Sequence, residues 1–188
     1  MKTFVKTAMA AALVMGSVSF ANAAGTNTGT VTFTGTIEDS PCSIVVGDEH
    51  QTVNLGHIGT GSLLGGKSSS AVDFKISLEN CAFTTEKTMS TVFNAAGDES
   101  STNTGNVALM GTKGEMAGSS IVIGNYKGTR IALGTAYEEA MSTDGAATPV
   151  ALSNQDLHFK AWVQGDASAS SIDVGEFSSV VNFAISYL

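Results

Sequence analysis

The sequence predicts an all-β domain, and three observations carry that expectation. Short runs alternate apolar with polar residues, as in AVDFKISLEN, SIVIG and LHFKAWV, which is the period-two pattern of half-buried strands. Clusters of Gly, Asn, Asp and Ser separate these runs and read as turns. The composition is rich in Gly, Ser, Thr and Ala, with only 2 Pro and 14% charged residues, and it shows no internal repeat. Only AYEEAMSTDG could carry a turn of helix, too short to change the class.

The chain opens MKTFVKTAMAAALVMGSVSFANAA. Lys2 and Lys6 precede an apolar run from Ala8 to Phe20, which ends at the small-x-small triplet Ala21-Asn22-Ala23. That is the pattern of a secretory signal peptide over residues 1–23, with the mature N-terminus near Ala24. As a membrane span the run is short, and Gly16, Ser17 and Ser19 interrupt it. The formal net charge is -8, and loss of Lys2 and Lys6 makes the remainder more acidic still. Nucleic acid and anionic membrane surfaces are therefore set aside as partners, because both call for clustered Lys and Arg.

Next comes AGTNTGTVTFTGTIEDSPC. Gly29, Val31, Phe33, Gly35 and Ile37 form one face, apolar with a small gap at Gly35, while Thr30, Thr32, Thr34 and Thr36 form the other. A strand so patterned needs a groove to lie in; alternatively, it folds back on its own domain as an ordinary first strand. Gly35 suits a narrow point of such a groove, its other reading being a bulge or bend. Residues 24–38 are thus expected to be an extension, and residues 39–188 the domain proper. Cys42 and Cys81, an even count in an exported chain, are expected to form a disulfide, a loop closure worth about 4 kcal/mol. A metal pair or catalytic thiol has little support. There is no C-x-x-C, and His50, His57 and His158 are not spaced as ligands of one site.

GSLLGGKSSS fits G-x-x-x-x-G-K-[ST] through Gly61, Gly66, Lys67 and Ser68. A phosphate loop works between a buried strand and a helix. Here VNLGHIGT on one side is a weak, Gly-broken strand and AVDFKISLEN on the other is a strand, so no nucleotide is expected. Gly61 to Ser70 reads instead as a mobile linker, and NAAGDESSTNTGN, residues 94–106, as an exposed loop. The last segment, VGEFSSVVNFAISYL, alternates through Val181, Phe183, Ile185 and Tyr187. With no later strand to pair with, it is either an edge strand or takes its neighbour from another chain.

These residues resemble the pilins of the bacterial chaperone/usher pathway, the type 1 fimbrial subunit family, over nearly the whole mature chain. Three elements carry the likeness: T-V-x-F-x-G-x-I ahead of Cys42, F-x-I-x-L-x-N-C from Phe74 to Cys81, and the ending, with Gly175 fourteenth from the C-terminus and Tyr187 penultimate. The resemblance implies an immunoglobulin-like sandwich lacking its final strand and completed by donor-strand exchange. A periplasmic chaperone would lend a strand, and at the outer-membrane usher the leader of the incoming subunit would replace it. Donor residues would be Val31, Phe33, Gly35 and Ile37. Gly175, Val181, Phe183, Ile185 and Tyr187 would form the groove and chaperone-recognition strand, and Cys42 and Cys81 the family's disulfide.

The implied function is a polymerising shaft subunit of an adhesive fimbria, exported through the periplasm to the cell surface and using no cofactor. A minor adaptor subunit is the nearest variant. The length leaves no room for a tip adhesin's receptor-binding domain, and the donor leader argues against a terminating subunit. The family often has an aromatic residue where Val163 stands and a polar one where Leu188 stands, both outside the donor and groove pattern. Two rivals come from other classes. A hydrolase is disfavoured because no G-x-S-x-G elbow is present and His158 lies opposite the apolar face of its run. A monomeric secreted glycan binder would stack sugars on Trp162 and Tyr126, residues otherwise read as packing and loop exposure.

Overall fold

The computed structural model describes residues 29–146 and 151–188. The signal-peptide expectation lies outside the described residues. The chain divides into two units, Met1–Glu38 and Asp39–Leu188. In the first, residues 29–38 carry no assigned strand, and Val31, Phe33 and Ile37 are exposed.

The second unit holds nine strands among the described residues: β1 (Ser43–Ile44), β2 (Val72–Glu79), β3 (Thr88–Ala95), β4 (Val107–Gly111), β5 (Gly114–Asn125), β6 (Arg130–Ile131), β7 (Ala136–Ala140), β8 (Gln155–Gly165) and β9 (Val181–Tyr187). One sheet runs β1-β2-β8-β5-β4 with β6 alongside β5, and the other runs β7-β3-β9. Every pairing is antiparallel. In β8 alternate residues from Gln155 to Gly165 are buried, so the period-two reading of LHFKAWV holds. The inward residues of the two sheets meet in a core of Ile76, Leu78, Met89, Phe93, Leu157 and Phe159. At its centre the rings of Phe93 and Phe159 stand edge to face, 4.9 Å apart, a geometry that sets the positive rim of one ring against the negative face of the other. The Cys42–Cys81 disulfide is present and ties the start of β1 to the end of β2.

Three expectations change. Gly61 to Ser70 is no mobile linker: Thr60–Ser62 forms a 3₁₀ turn, and Leu63 is buried with Leu109 and Val163 in a second cluster. Backbone bonds from Ser69 N to Val163 O and from Gly165 N to Lys67 O, both 2.9 Å, fasten the stretch to β8. A Cβ on Gly165 would lie 2.0 Å from Leu63 O, so only glycine lets the two backbones come this close. AYEEAMSTDG contains a strand instead of a helical turn, because pairing of Tyr137 with Thr91 and Glu139 with Met89 overrides local propensity. Residues 94–106 are polar yet not uniformly exposed, since Ser100 and Asn106 are buried. Asn106 donates to Ser120 Oγ (2.9 Å) and accepts from Arg130 Nε (2.7 Å), which satisfies an amide that burial would otherwise penalise.

Candidate functional site

The sandwich is open along one side. Strand β9 pairs with β3, from Val181 opposite Ala95 to Tyr187 opposite Met89, and its other edge has no partner among the described residues. Its inward residues Val181, Phe183, Ile185 and Tyr187 pack against the core but stay only half-buried, where the matching residues of central β8 are covered. Strand β8 has β2 and β5 on its two sides, whereas β9 has β3 on one side and no strand on the other among the described residues.

Beside this edge lie two adjoining cavities, of about 710 and 450 Å³, that share Thr52, Val53, Leu55 and Phe177 in their walls. The floor of the second includes Phe74, Ile76, Phe93 and Ile123, so the hydrophobic core itself is reached from solvent. The first is floored by Leu63, Leu109, Met116 and Val163, with Gly175 on its rim. Gly175 has φ 155°, which L side chains rarely adopt.

Each wall is held by identifiable bonds. On the far side, residues 51–59 form no strand between the 3₁₀ turns Asp48–His50 and Thr60–Ser62, which corrects the weak strand expected for VNLGHIGT. Side chains hold this wall: Gln51 Nε2 donates to Lys75 O at 3.0 Å, and Asp48 Oδ2 accepts from Ser77 N at 2.7 Å. On the near side the chain is stapled to the first sheet before it crosses to become β9. Ser178 N donates to Met110 O (2.9 Å), Ser179 Oγ to Ala108 O (2.6 Å) and Val180 N to Asp98 Oδ2 (2.8 Å). Past the other end of β9, Leu188 O accepts from Lys87 N and Thr88 N, at 2.7 and 3.0 Å. The turn that leads into β3 is capped by Glu86, whose carboxylate accepts from Thr84 N and Thr85 N at 2.8 and 2.9 Å. Hydrogen bonds from the amides of Glu86 itself, Thr84 and Thr85 draw its pKa down to about 2.

Val181 and Phe183 line the second cavity and Gly175 the first; Ile185 and Tyr187 continue the same half-buried face against the core but line neither cavity, and Val31, Phe33, Gly35 and Ile37 belong to the other unit. The sequence reading missed the opposite wall, Val53 and Leu55, and the contributors Leu109, Met116, Ile172 and Phe177. For Val53 and Leu55 the alternation of VNL was a usable signal, whereas Met116 and Ile172 sit in runs with no clear period. His50, His57 and His158 are exposed, and among the described residues no His, Cys, Asp and Glu group could hold a metal ion. Trp162 packs on the sheet, its ring so close over Gly124 that a Cβ there would lie 2.6 Å away. Tyr126 is exposed, with Lys127 Nζ 5.2 Å from its ring centre.

An apolar trench along an unpaired strand edge can do one thing well, which is to accept an extended segment as a further strand. Two packed antiparallel sheets, open where a last strand would lie, make this an immunoglobulin-like sandwich of the pilus-subunit kind. The chain belongs to the fimbrial protein family: the profile described as "Fimbrial protein" matches residues 31–187. It is a fimbrial subunit, a structural protein of surface fimbriae and not an enzyme. It is 40% identical to the uncharacterized fimbrial-like protein YfcV of Escherichia coli K12 over 100% of both chains. Identity to the Fimbria A protein of Serratia marcescens is 36%, over 97% of each. With the Major MR/P fimbria protein of Proteus mirabilis it is 40%, over 85% of this chain and 83% of that one. Among solved structures, a chaperone–usher pilus studied for rod uncoiling superposes with a TM-score of 0.69 at 24% identity, covering 87% of this chain and 98% of the other. The P pilus rod subunit PapA gives 0.60 at 22%, covering 79% and 100%. At these identities the two structures speak for the fold.

Proposed function

We propose that this chain is a shaft subunit that polymerises head to tail by donor-strand exchange. After removal of residues 1–23, residues 24–38 of one subunit fill the trench of the next, in the domain of residues 39–188. The observation that carries this reading is the half-buried β9 face beside a trench that reaches the core. Burying Val31, Phe33 and Ile37 contributes roughly 1.5–3 kcal/mol each, before the backbone ladder is counted. Gly35 passes the narrow point, Cys42 and Cys81 brace an otherwise incomplete domain, and Gly175 with the β9 face is read by the chaperone. A periplasmic chaperone keeps the trench occupied until the outer-membrane usher supplies the next leader. The interface is heterologous, with different surfaces on its two sides, so it propagates as a fibre instead of closing. The similarity to a relative named as a major fimbria protein supports the shaft role in a homopolymer.

The test takes residues 39–188 and follows thermal unfolding with and without a peptide of residues 25–38. A large peptide-dependent rise in melting temperature, abolished by Gly35→Leu in the peptide, is expected. A domain that is stable alone and indifferent to the peptide would refute the proposal.

A further inference from the structure

Acceptance of a strand at β9 has a structural requirement: the other edge of the same three-stranded sheet, β7, must stay closed. Among the described residues β7 pairs with β3 alone. Its outer row of N–H and C=O groups is a template for any extended apolar segment. Register fixes which of its side chains face inward. Tyr137 lies opposite Thr91 and Glu139 opposite Met89, and both partners are buried. Tyr137 sets its ring 6.0 Å from that of Phe159 in the core. Glu139, two residues further, shares that inward face. Its Oε2 is buried without a hydrogen-bond partner among the described residues. Burial raises the carboxyl above its ordinary range, with the charge of His158 acting in the opposite direction.

We propose that Glu139 closes the β7 edge to strand addition, so that the leader of a second copy of this chain is accepted only at β9 on that sheet. The inference rests on the donor-strand reading above. A leader added outside β7 would place its apolar residues beside Tyr137 and Glu139, at cross-strand Cβ separations of about 4.5–5.5 Å. Glu139 is half-buried, and an apolar strand over the open flank would remove its remaining water without supplying a partner. A carboxylate resists that, because an ion deprived of solvent with no hydrogen bond in its place is strongly disfavoured. On β9 the equivalent inward row is Val181, Phe183, Ile185 and Tyr187, with no charge in it. One leader therefore meets two edges of one sheet, the first apolar along its length and the second interrupted by a carboxylate. An inward charge is among the few devices that blunt an edge strand while leaving its own pairing intact.

The test counts leader peptides of residues 25–38 bound per chain by native mass spectrometry. It uses the full mature chain carrying Phe33→Asp, so that its own leader does not compete. One peptide per chain is expected in this background. Adding Glu139→Val should raise the count to two, and Glu139→Thr, a smaller change with less risk to folding, should do the same. Glu138→Val, exposed on the outward face of the same strand, should leave one. A single peptide on both Glu139 variants overturns the inference and leaves the donor-strand reading standing. No peptide on any chain overturns the donor-strand reading, and the inference with it.

Discussion

Phe33→Ala separates a residue that stabilises its own domain from one that stabilises the next subunit. In the chain itself Phe33 is 90% exposed, so its truncation should leave the unfolding of its own domain within about 0.5 kcal/mol of the parent, as for surface substitutions generally. The trench it is proposed to enter consists of cavities of about 710 and 450 Å³ with an aromatic and aliphatic floor. Full burial of a Phe side chain is worth up to about 3 kcal/mol, and truncation of a buried one costs roughly 3–5 kcal/mol once the residual cavity is included. At about 1.4 kcal/mol per tenfold, that is a 100-fold or greater loss of affinity. The assay compares peptides of residues 25–38, with Phe33 or Ala at that position, against residues 39–188 by thermal shift. At a parent-peptide concentration about 100-fold above its Kd the parent should add about 2.7 kcal/mol of stability, and the Ala peptide less than about 0.5. Affinities within threefold of each other would refute the reasoning. So would a loss above about 1 kcal/mol in the full chain's own stability, because Phe33 would then be packing at home.

Two further outcomes are expected. Replacing Cys42 and Cys81 together by Ser frees a 39-residue loop in the unfolded chain and should cost about 4 kcal/mol in denaturant unfolding, seen as a lower midpoint. Burial raises the Glu139 pKa in the folded chain above the ordinary 4.5, so its favourable contribution is complete below that value and is lost as pH rises through the raised one. Glu139→Gln should therefore flatten the stability profile on the neutral side of pH 4.5, and an unchanged profile would show that this carboxyl is not desolvated.

The amino-acid sequence by itself determined β2, β8 and β9 and the alternation of residues 29–37. Period-two alternation in AVDFKISLEN, LHFKAWV and VNFAISY marks which residues face a core, and β2, β8 and β9 follow it. Tertiary structure alone decided the rest. The strand β7 arises from AYEEA only because β3 offers its backbone, a non-local pairing that local propensity does not encode. The far wall of the trench is held by Gln51 and Asp48 reaching the backbone of β2, and single side-chain bonds leave no periodic trace. Leu63, one of two leucines in a glycine- and serine-rich stretch, became an anchor because Gly165 lets the two backbones approach. Periodicity reports which face of a strand is buried; the identity of what covers that face depends on contacts between residues far apart in the chain, which only folding brings together.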